Sequence, residues 1–368
     1  MKLSLIPIIF FSILCLIIPS CVKKNHPPEI LDQQFSVLEN SGEGTVVGKV
    51  VATDEDNDTT LTYTIISGNE NNAFEISPTS GIITVHNGDE MDFETNPSFT
   101  LIVEVRDSKN AGASSDITIN LEDVAPPTEG LILYLPFDGN IKDSSSSMND
   151  GIDYSSDNYV AGRWDQGLDF NGTTDYIQLS STINSSNVLS FSFWIRSRGV
   201  NGAENNGVVI SKYNMTTQAR CFMIYSFGSS TTRSDNRLSA AFYKYGTSSS
   251  YHDNTKSYLE PDELIVYPTD PSYWTILNPR RLETGTWTHS VVNVTATEIE
   301  VWLNGILCTK KRREYTTYFN SQYEPVYIGN NLAAGEGSNN HFNGTIDELR
   351  VYDRTLSEEE IKTLFKEK

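Results

Sequence analysis

The stretch VVATDEDNDTTLTYTIISGNENNAFEISPTSGIITV, residues 50–85, places an acidic turn between two runs of β-forming residues. Short runs of this kind recur over residues 30–124, and clusters of turn residues separate them. In the run FTLIVEV, strand alternation puts Leu101, Val103 and Val105 on one face. This spacing predicts an antiparallel β-sandwich of about 100 residues.

Strand signals continue from Gly130 to the end of the chain, for example LSFSFWIRS at residues 189–197. About ten or more such runs, separated by turn residues, predict a second and larger two-sheet sandwich or jelly roll. Only the tail, LSEEEIKTLF at residues 356–365, has a helical pattern, and Ser357 with Glu360 forms a capping box at its start. The predicted fold class is all-β with a short C-terminal helix.

The N-terminal residues resemble an export signal. Lys2 is followed by an apolar run that contains proline and ends at Ile18-Pro19-Ser20-Cys21. This ending resembles a bacterial lipoprotein box, which implies that Cys21 becomes the acylated first residue of a chain anchored to the outer membrane. Either membrane face, periplasmic or cell-surface, suits such an anchor. An ordinary secretory signal cleaved nearby is the alternative.

The predicted organisation has five parts. Pro126 and Pro127 remove two backbone donors and favour extended geometry, which predicts a short hinge between the sandwiches. The parts are a lipoprotein signal peptide (1–20), an N-terminal tether (21–29), the first sandwich (30–124), a proline-rich linker (125–129) and the second sandwich (130–368).

The first sandwich resembles a cadherin repeat. The matching segments are VLEN (37–40), GTVVGKVVATDED (44–56), FEISPTSGIITV (74–85), DFET (92–95), LIVEVRD (101–107) and INLEDV (119–124). The resemblance implies a Greek-key sandwich that holds calcium at its two ends. The implied ligands are Glu39, Asp92, Glu94 and Asp123 at the C-terminal end, and Asp54, Asp56 and Asp107, with Asn25, at the N-terminal end.

The spacing of these acids agrees with a cation. Asp54 and Asp56 lie two residues apart and point to the same side of an extended segment, where their charges repel without a divalent ion. Calcium takes several oxygen ligands, so Ca²⁺ is the expected cofactor. After Asp123 the chain departs from the family, because VAPPTE replaces the usual Asn-Asp-Asn. A metal-free sandwich that merely keeps acidic loops is the alternative.

The second sandwich resembles the laminin-G-like, concanavalin A-like jelly rolls. The matching segments include GLDFNGTTDYIQL (167–179), GTWTHSVV (285–292) and FNGTIDELRVYDRTLSEEEI (342–361). The resemblance implies a structural calcium site, to which Asp138, Asp143 and Asp347 correspond by position. The alternative is that these aspartates accept hydrogen bonds from turn amides, as aspartate commonly does.

A long connection at residues 246–284 is the candidate ligand loop. It carries Tyr251, Tyr267, Trp274 and Arg280, and aromatic faces beside polar groups are suited to sugar binding. Alternatively, the aromatic residues simply anchor the loop on the sandwich.

The cysteines and histidines indicate no zinc site. There is no Cys-x-x-Cys or His-Glu-x-x-His motif, and the five histidines are scattered. Cys221 and Cys308 remain in the mature chain, and an oxidising compartment permits a disulfide between them. Sequence alone does not show whether their Cα atoms come within bridging range.

The sequence predicts no enzymatic activity. Ile299 and Val301 fit the core face of their strand, which turns Glu298 and Glu300 outward, and no third acid completes a hydrolase-type set. No Gly-x-Ser-x-Gly elbow is present. His289 is predicted to be a packing residue. A glycoside hydrolase of this fold is the less favoured alternative.

The charge distribution excludes nucleic acid as a partner. The net charge is −21, and residues 25–124 alone carry 19 acids against 3 bases. Such a surface repels a phosphate backbone. The leading hypothesis is a calcium-binding adhesion protein, attached to a membrane by its lipid anchor, that binds a glycan or a cell-surface protein. A scaffold that acts only through protein contacts is the alternative.

Overall fold

The computed structural model describes residues 24–56, 60–155, 158–180, 183, 188–199, 206–213, 220–227, 236–243, 252–256, 274–313, 325–331 and 340–367. The chain divides into two compact units, residues 1–122 and 123–368. No helix in these ranges is both long enough and apolar enough to cross a membrane.

The described strands of the first unit form three sheets. The four-stranded sheet consists, in spatial order, of β2 (Gln33–Leu38), β9 (Gly112–Glu122), β8 (Ser98–Arg106) and β5 (Thr62–Ser67). The three-stranded sheet consists of β3 (Val46–Lys49), β7 (Ile82–Val85) and β6 (Phe74–Ile76). A short pair is formed by β1 (Glu29–Ile30) and β4 (Ala52–Thr53), and a 3-10 turn covers Gly88–Glu90.

The core of the first unit follows the predicted alternation. Leu101, Val103 and Val105 of β8 are fully buried, whereas Ile102 and Glu104 between them keep partial exposure. One strand pairing differs from the predicted antiparallel arrangement, because β2 and β9 run parallel to each other. β2 and β9, the first and last strands of this sheet along the chain, therefore end side by side at the same end of the sandwich.

The described strands of the second unit form two large sheets. The nine-stranded sheet consists of β12 (Tyr159–Ala161), β13 (Gln166–Asn171), β25 (Asn343–Tyr352), β15 (Leu189–Ser197), β21 (Thr288–Val294), β22 (Glu298–Leu303), β23 (Ile306–Arg312) and β20 (Trp274–Ile276), with β10 (Leu131–Leu135) also paired to β25. The seven-stranded sheet consists of β11 (Gly151–Asp153), β14 (Ile177–Leu179), β24 (Tyr327–Ile328), β16 (Asn206–Tyr213), β17 (Arg220–Phe227), β18 (Arg237–Tyr243) and β19 (His252–Lys256).

The two large sheets share one apolar core. Phe191 and Phe193 of β15 are buried with Phe222 of β17 and Phe242 of β18, and the rings of Phe191 and Phe222 lie 4.9 Å apart. Side chains from both sheets interdigitate in this layer, as in a β-sandwich. The predicted all-β class and the two sandwiches are confirmed.

The C-terminal helix α1 (Glu358–Lys366) covers the other face of the nine-stranded sheet. Ile361 and Leu364 are buried there with Trp302 and Tyr352. The predicted capping box is present, because Ser357 Oγ accepts from the Glu360 N–H at 3.2 Å and Glu360 Oε2 accepts from the Ser357 N–H at 2.8 Å.

The disulfide left open by the sequence does not form in this structure. Cys221 and Cys308 are buried thiols in different sheets, on β17 and β23. Facing sheets lie about 10 Å apart, whereas a disulfide needs Cα atoms within about 7 Å. The two residues therefore serve as small apolar side chains of the shared core.

Candidate metal centre and ligand pocket

Three acids meet at one end of the first sandwich. Glu39, Glu94 and Asp123 each offer a carboxylate oxygen, and these three atoms all lie within 4.8 Å of one another. Glu39 is only 4% exposed, so its carboxylate is held away from bulk water. Within the described part of the chain this is the one group of three or more such ligands.

The register of the first sheet creates this cluster. Leu38 stands opposite Glu122 in the parallel pair of β2 and β9, and the N–H of Glu39 donates to the carbonyl of Glu122 at 3.0 Å. Glu39 and Asp123, the next residue in each segment, therefore emerge together. The N–H of Phe93 donates to Glu39 Oε2 at 3.3 Å, which brings the segment that carries Glu94 to the same place.

The fourth predicted ligand of this end, Asp92, does not join the cluster. Its Oδ1 accepts from the Thr95 N–H at 2.9 Å and its Oδ2 accepts from Thr95 Oγ1 at 3.0 Å. Both oxygens are thus used to stabilise the following turn, as is common for aspartate. The sequence pattern could not separate a turn aspartate from a ligand two residues away.

At the opposite end of this sandwich, the predicted ligands hold the N-terminal segment. Asp56 Oδ2 accepts from the His26 N–H at 2.7 Å, and Asp107 Oδ2 accepts from Asn25 Nδ2 at 2.6 Å. Asp54 Oδ1 accepts from the Asp56 N–H at 2.7 Å. These acids do not form a group of three within 4.8 Å among the described residues.

The three aspartates predicted as a second calcium site do not meet. Asp143 accepts from the N–H groups of Tyr134 and Ser145, both at 2.8 Å, and from the Asn149 N–H at 2.7 Å. Asp138 is exposed and accepts from the Gln166 N–H at 3.0 Å. Both accept from backbone amides, Asp143 from those of its own turn and of β10 and Asp138 from the first residue of β13, so only Asp143 follows the turn-amide alternative that the sequence left open.

Asp347 is a buried carboxylate on β25. Its Oδ2 accepts from the N–H groups of Arg163 at 2.7 Å and Trp164 at 3.1 Å. Its Oδ1 is also buried and accepts no hydrogen bond from the described residues. Burial is the main cause that raises the pKa of Asp347 to about 7, and the nearby charge of Glu348 adds to the effect.

Most of the candidate ligand loop lies outside the described residues. This holds for Tyr251 and Tyr267, and for the side chain of Trp274, whose backbone belongs to β20. Cys21 also lies outside the described residues. Arg280 is exposed and lines a pocket of about 250 Å³ with Arg281.

Residues beyond the loop complete this pocket. Thr288 is the first residue of β21, and Leu303 and Asn304 lie at the turn after β22. No sequence pattern marks these three residues as ligand-binding, because each lies in an ordinary strand or turn. The neighbouring arginines at 280 and 281 were the available sequence signal.

The two glutamates weighed as hydrolase acids point away from the core, as predicted. Ile299 and Val301 are fully buried, whereas Glu298 is exposed. Glu300 Oε1 lies 2.6 Å from Lys310 Nζ, and Glu300 Oε2 accepts from Trp302 Nε1 at 3.1 Å. These contacts hold Glu300 as a surface ion pair.

His289 is a packing residue, also as predicted. It is 1% exposed, and its ring packs against those of Trp194 and Phe365, whose centroids lie 5.2 Å and 6.1 Å away and 5.7 Å from each other. Its Nε2 lies 2.9 Å from Ser192 Oγ. Burial is the main cause that lowers the pKa of His289 to about 3, and the positive charges of Arg350 and Arg163 contribute to the same shift.

A family model described as the concanavalin A-like lectin/glucanases superfamily, Laminin_G_3, matches residues 171–362, more than half of the chain. The chain belongs to this family. A model of the cadherin domain matches residues 33–122, so a cadherin domain precedes the laminin-G-like domain. Both are typically binding rather than enzymatic domains, which makes the chain an adhesion or binding protein.

Curated relatives match the cadherin domain. Protocadherin-16 of Rattus norvegicus is 44% identical over 63 residues, which cover 17% of this chain and 2% of that protein. Cadherin-related family member 2 of Homo sapiens is 34% identical over 102 residues, which cover 26% of this chain and 8% of that protein. The chain thus spans a small fraction of these relatives.

Solved structures resemble about two thirds of the chain. Domain 4 of AbnA, a GH43 extracellular arabinanase from Geobacillus stearothermophilus determined in complex with arabinotriose, has 19% identity and a TM-score of 0.46, over 65% of this chain and 99% of that one. The binding domain of Botulinum Neurotoxin DC in complex with SialylT has 13% identity and a TM-score of 0.45, and the match covers 65% of this chain and 51% of that one.

Proposed function

We propose that this protein is a lipid-anchored binding protein in which calcium stabilises the cadherin domain and the laminin-G-like domain binds a glycan. The observation that carries the calcium part is the meeting of Glu39, Glu94 and Asp123 within 4.8 Å. The observation that carries the binding part is the laminin-G-like match over more than half of the chain.

The residues at the acidic cluster fit a calcium ion. All three offer carboxylate oxygens, the hard ligands that calcium prefers. Three carboxylates this close repel one another, and burial of Glu39 weakens the screening of that repulsion by water. A bound divalent cation would supply the positive charge that relieves it. Glu39 and Asp123 are held by paired strands and Glu94 by the adjoining loop, so the cluster is built before any ion arrives.

The anchor and the location belong to the same proposal. The Ile18-Pro19-Ser20-Cys21 sequence supports acylation of Cys21 and attachment to the outer membrane. The tether up to residue 29 then leads directly into β1. Mass spectrometry of the N-terminal peptide from the membrane fraction tests this step, and an unmodified cysteine within an uncleaved chain would contradict it.

The proposal includes no catalytic step. Glu298 and Glu300 line one surface pocket, but the ion pair of Glu300 with Lys310 supports a binding role, because it neutralises one of the two carboxylates that a hydrolase needs. Release of reducing sugar from a β-glucan panel by the purified protein would overturn this part.

A glycan array with the purified protein, run in calcium and again in EDTA, tests the function. Binding in both buffers would support a glycan-binding laminin-G-like domain with calcium confined to the cadherin domain. Binding lost in EDTA would support the function and make the ligand site itself calcium-dependent. A blank array in both buffers would contradict glycan binding and favour a scaffold that acts through protein contacts.

A further inference from the structure

The pocket beside Arg280 gives this binding function a chemical class of ligand. It lies between the segment that leads into β21 and the turn that joins β22 to β23. The residues that line it include Arg280, Arg281, Glu283, Thr288, Leu303 and Asn304. Its volume of about 250 Å³ is below the roughly 300–1,000 Å³ of pockets that enclose a drug-sized ligand. It is suited to a group the size of one sugar ring.

The backbone that carries the two arginines is fixed. Leu282, the next residue, is 3% exposed in the core, and its N–H donates to the Asn236 carbonyl at 2.6 Å. The Asn278 N–H donates to the Cys308 carbonyl at 3.2 Å, and the Gly285 N–H donates to the Ser197 carbonyl at 2.8 Å. The segment is held on both sides of the arginines, so ligand binding does not have to order its backbone.

The opposite wall is fixed as well. Asn304 has a left-handed backbone with φ of 50°, and its N–H and Oδ1 bond the carbonyl and N–H of His289, each at 2.9 Å. Leu303 and Thr288, the strand residues beside this turn, are 1% and 5% exposed, and Leu303 is part of the apolar core. This wall is therefore anchored to the core of the domain.

The charge of the pocket favours an anionic group. Among the described residues that line it are two arginines and one acid, Glu283, in a domain where residues 129–368 carry 29 acids against 21 bases. A guanidinium fork matches the planar geometry of a carboxylate and can bond it with two parallel hydrogen bonds. The acidic surroundings repel polyanions, but charges beyond about 8 Å are screened at physiological salt. A single carboxylate on an otherwise neutral sugar fits both conditions.

We infer that this pocket binds the carboxylate of an acidic sugar residue, a uronic acid, within the glycan. The inference rests on the proposed glycan-binding function and specifies the ligand of that function. Arg280 and Arg281 bind the carboxylate, and the carboxylate of Glu283 accepts hydrogen bonds from ring hydroxyls.

Isothermal titration of the purified protein with galacturonate, glucuronate and mannuronate, each as the monosaccharide with a single carboxylate, and with their methyl esters, tests the inference. At least one free acid should bind, and its methyl ester should bind about tenfold more weakly or not at all, because the ester loses the charge-assisted bonds. Arg280→Gln and Arg281→Gln should each weaken binding of the free acid by about tenfold.

The matched control is Arg312→Gln. Arg312 is exposed at the far end of β23, so this variant removes the same charge from the domain without touching the pocket. Its affinity should stay within about twofold of the wild type, as expected for a screened distant charge. Circular dichroism confirms that each variant is folded.

Three results would overturn the inference. They are equal binding of acid and methyl ester, equal affinities of Arg280→Gln and Arg312→Gln, and no binding of any uronate. If neutral glycans bind on the array while uronates do not, only the pocket assignment fails. If no glycan of either kind binds, the proposed function fails with it.

Discussion

The backbone N–H of Glu39 donates to the carbonyl of Glu122 at 3.0 Å, which continues the parallel pairing of β2 with β9 to the point where both strands end. Its consequence is that Glu39 and Asp123 leave the sheet together. With Glu94 they form the only group of three metal-type ligands in the described ranges. The calcium proposal depends on strand register as much as on acidic composition.

Substitution within this cluster should weaken calcium binding specifically. Glu94→Gln removes one of three carboxylates, so we expect calcium affinity to fall by at least about tenfold, the loss of one charge-assisted ligand. Calcium should also raise the melting temperature of the variant less than that of the wild type. Thermal unfolding across a calcium titration measures both effects.

The control for this substitution is Glu75→Gln on β6. Glu75 is 73% exposed and lies 3.9 Å from His86 in a surface contact that contributes little to stability. Its calcium response should match that of the wild type. Equal losses of calcium affinity in the two variants would mean that calcium binding depends on net charge rather than on the three acids of the cluster.

Acid should destabilise the protein partly through His289. Its pKa is about 3 in the folded chain against about 6.5 when unfolded, so the unfolded state binds more protons between these values. The free energy of unfolding therefore falls as pH drops below 6.5, and the contribution of His289 to this fall amounts to about 2 kcal/mol by pH 5. Full stability from this group is present above pH 6.5.

Comparison with His289→Gln isolates this contribution. The variant should be less stable than the wild type at pH 7.5, because glutamine loses the ring contacts that His289 makes with Trp194 and Phe365. The difference should shrink by about 2 kcal/mol at pH 5, since glutamine does not titrate. Urea denaturation at both pH values measures it. A difference that is independent of pH would show that folding does not lower the pKa of His289.

The capping box should support the C-terminal helix. Ser357→Ala removes the oxygen that accepts from the Glu360 N–H, so the free energy of unfolding should fall by about 1 kcal/mol. Helix α1 packs on Trp302 and Tyr352, so the loss should appear in the cooperative transition of the laminin-G-like domain. An unchanged urea midpoint for that transition would mean that helix packing alone determines its stability.

The two thiols should resist both oxidation and labelling. Cys221 and Cys308 are fully buried, and burial raises the pKa of Cys308 to about 11, so little reactive thiolate exists at neutral pH. We expect labelling by a thiol reagent only after denaturation, and no change in melting temperature with reductant. A peptide that links the two residues in a non-reducing digest would contradict this.

Local patterns in the sequence were sufficient to predict much of the fold. Alternation identified the buried face of β8, and the Ser357 to Glu360 spacing identified the start of α1. Each of these depends on residues close in the chain. The parallel pairing of β2 with β9 joins segments about eighty residues apart, and no local pattern contains it.

The same limit applies to the candidate sites. Asp92, Asp138 and Asp143 carry the residue type that calcium needs, yet their oxygens accept from backbone amides, those of nearby turns for Asp92 and Asp143 and that of a distant strand for Asp138. Composition does not tell which partner an aspartate finds. The pocket at Arg280 likewise depends on Asn304, which the β22 turn brings back from a distant part of the sequence.

The central claim is that carboxylates of the cadherin domain bind calcium and so stabilise this protein. Isothermal titration of the purified, EDTA-treated protein with calcium tests it most directly, together with thermal unfolding of the same sample. We predict a saturable heat of binding and a melting temperature that rises with calcium. At a calcium concentration a hundredfold above Kd, the free energy of unfolding should increase by about 2.7 kcal/mol. No heat of binding, with identical melting curves in calcium and EDTA, would contradict the account.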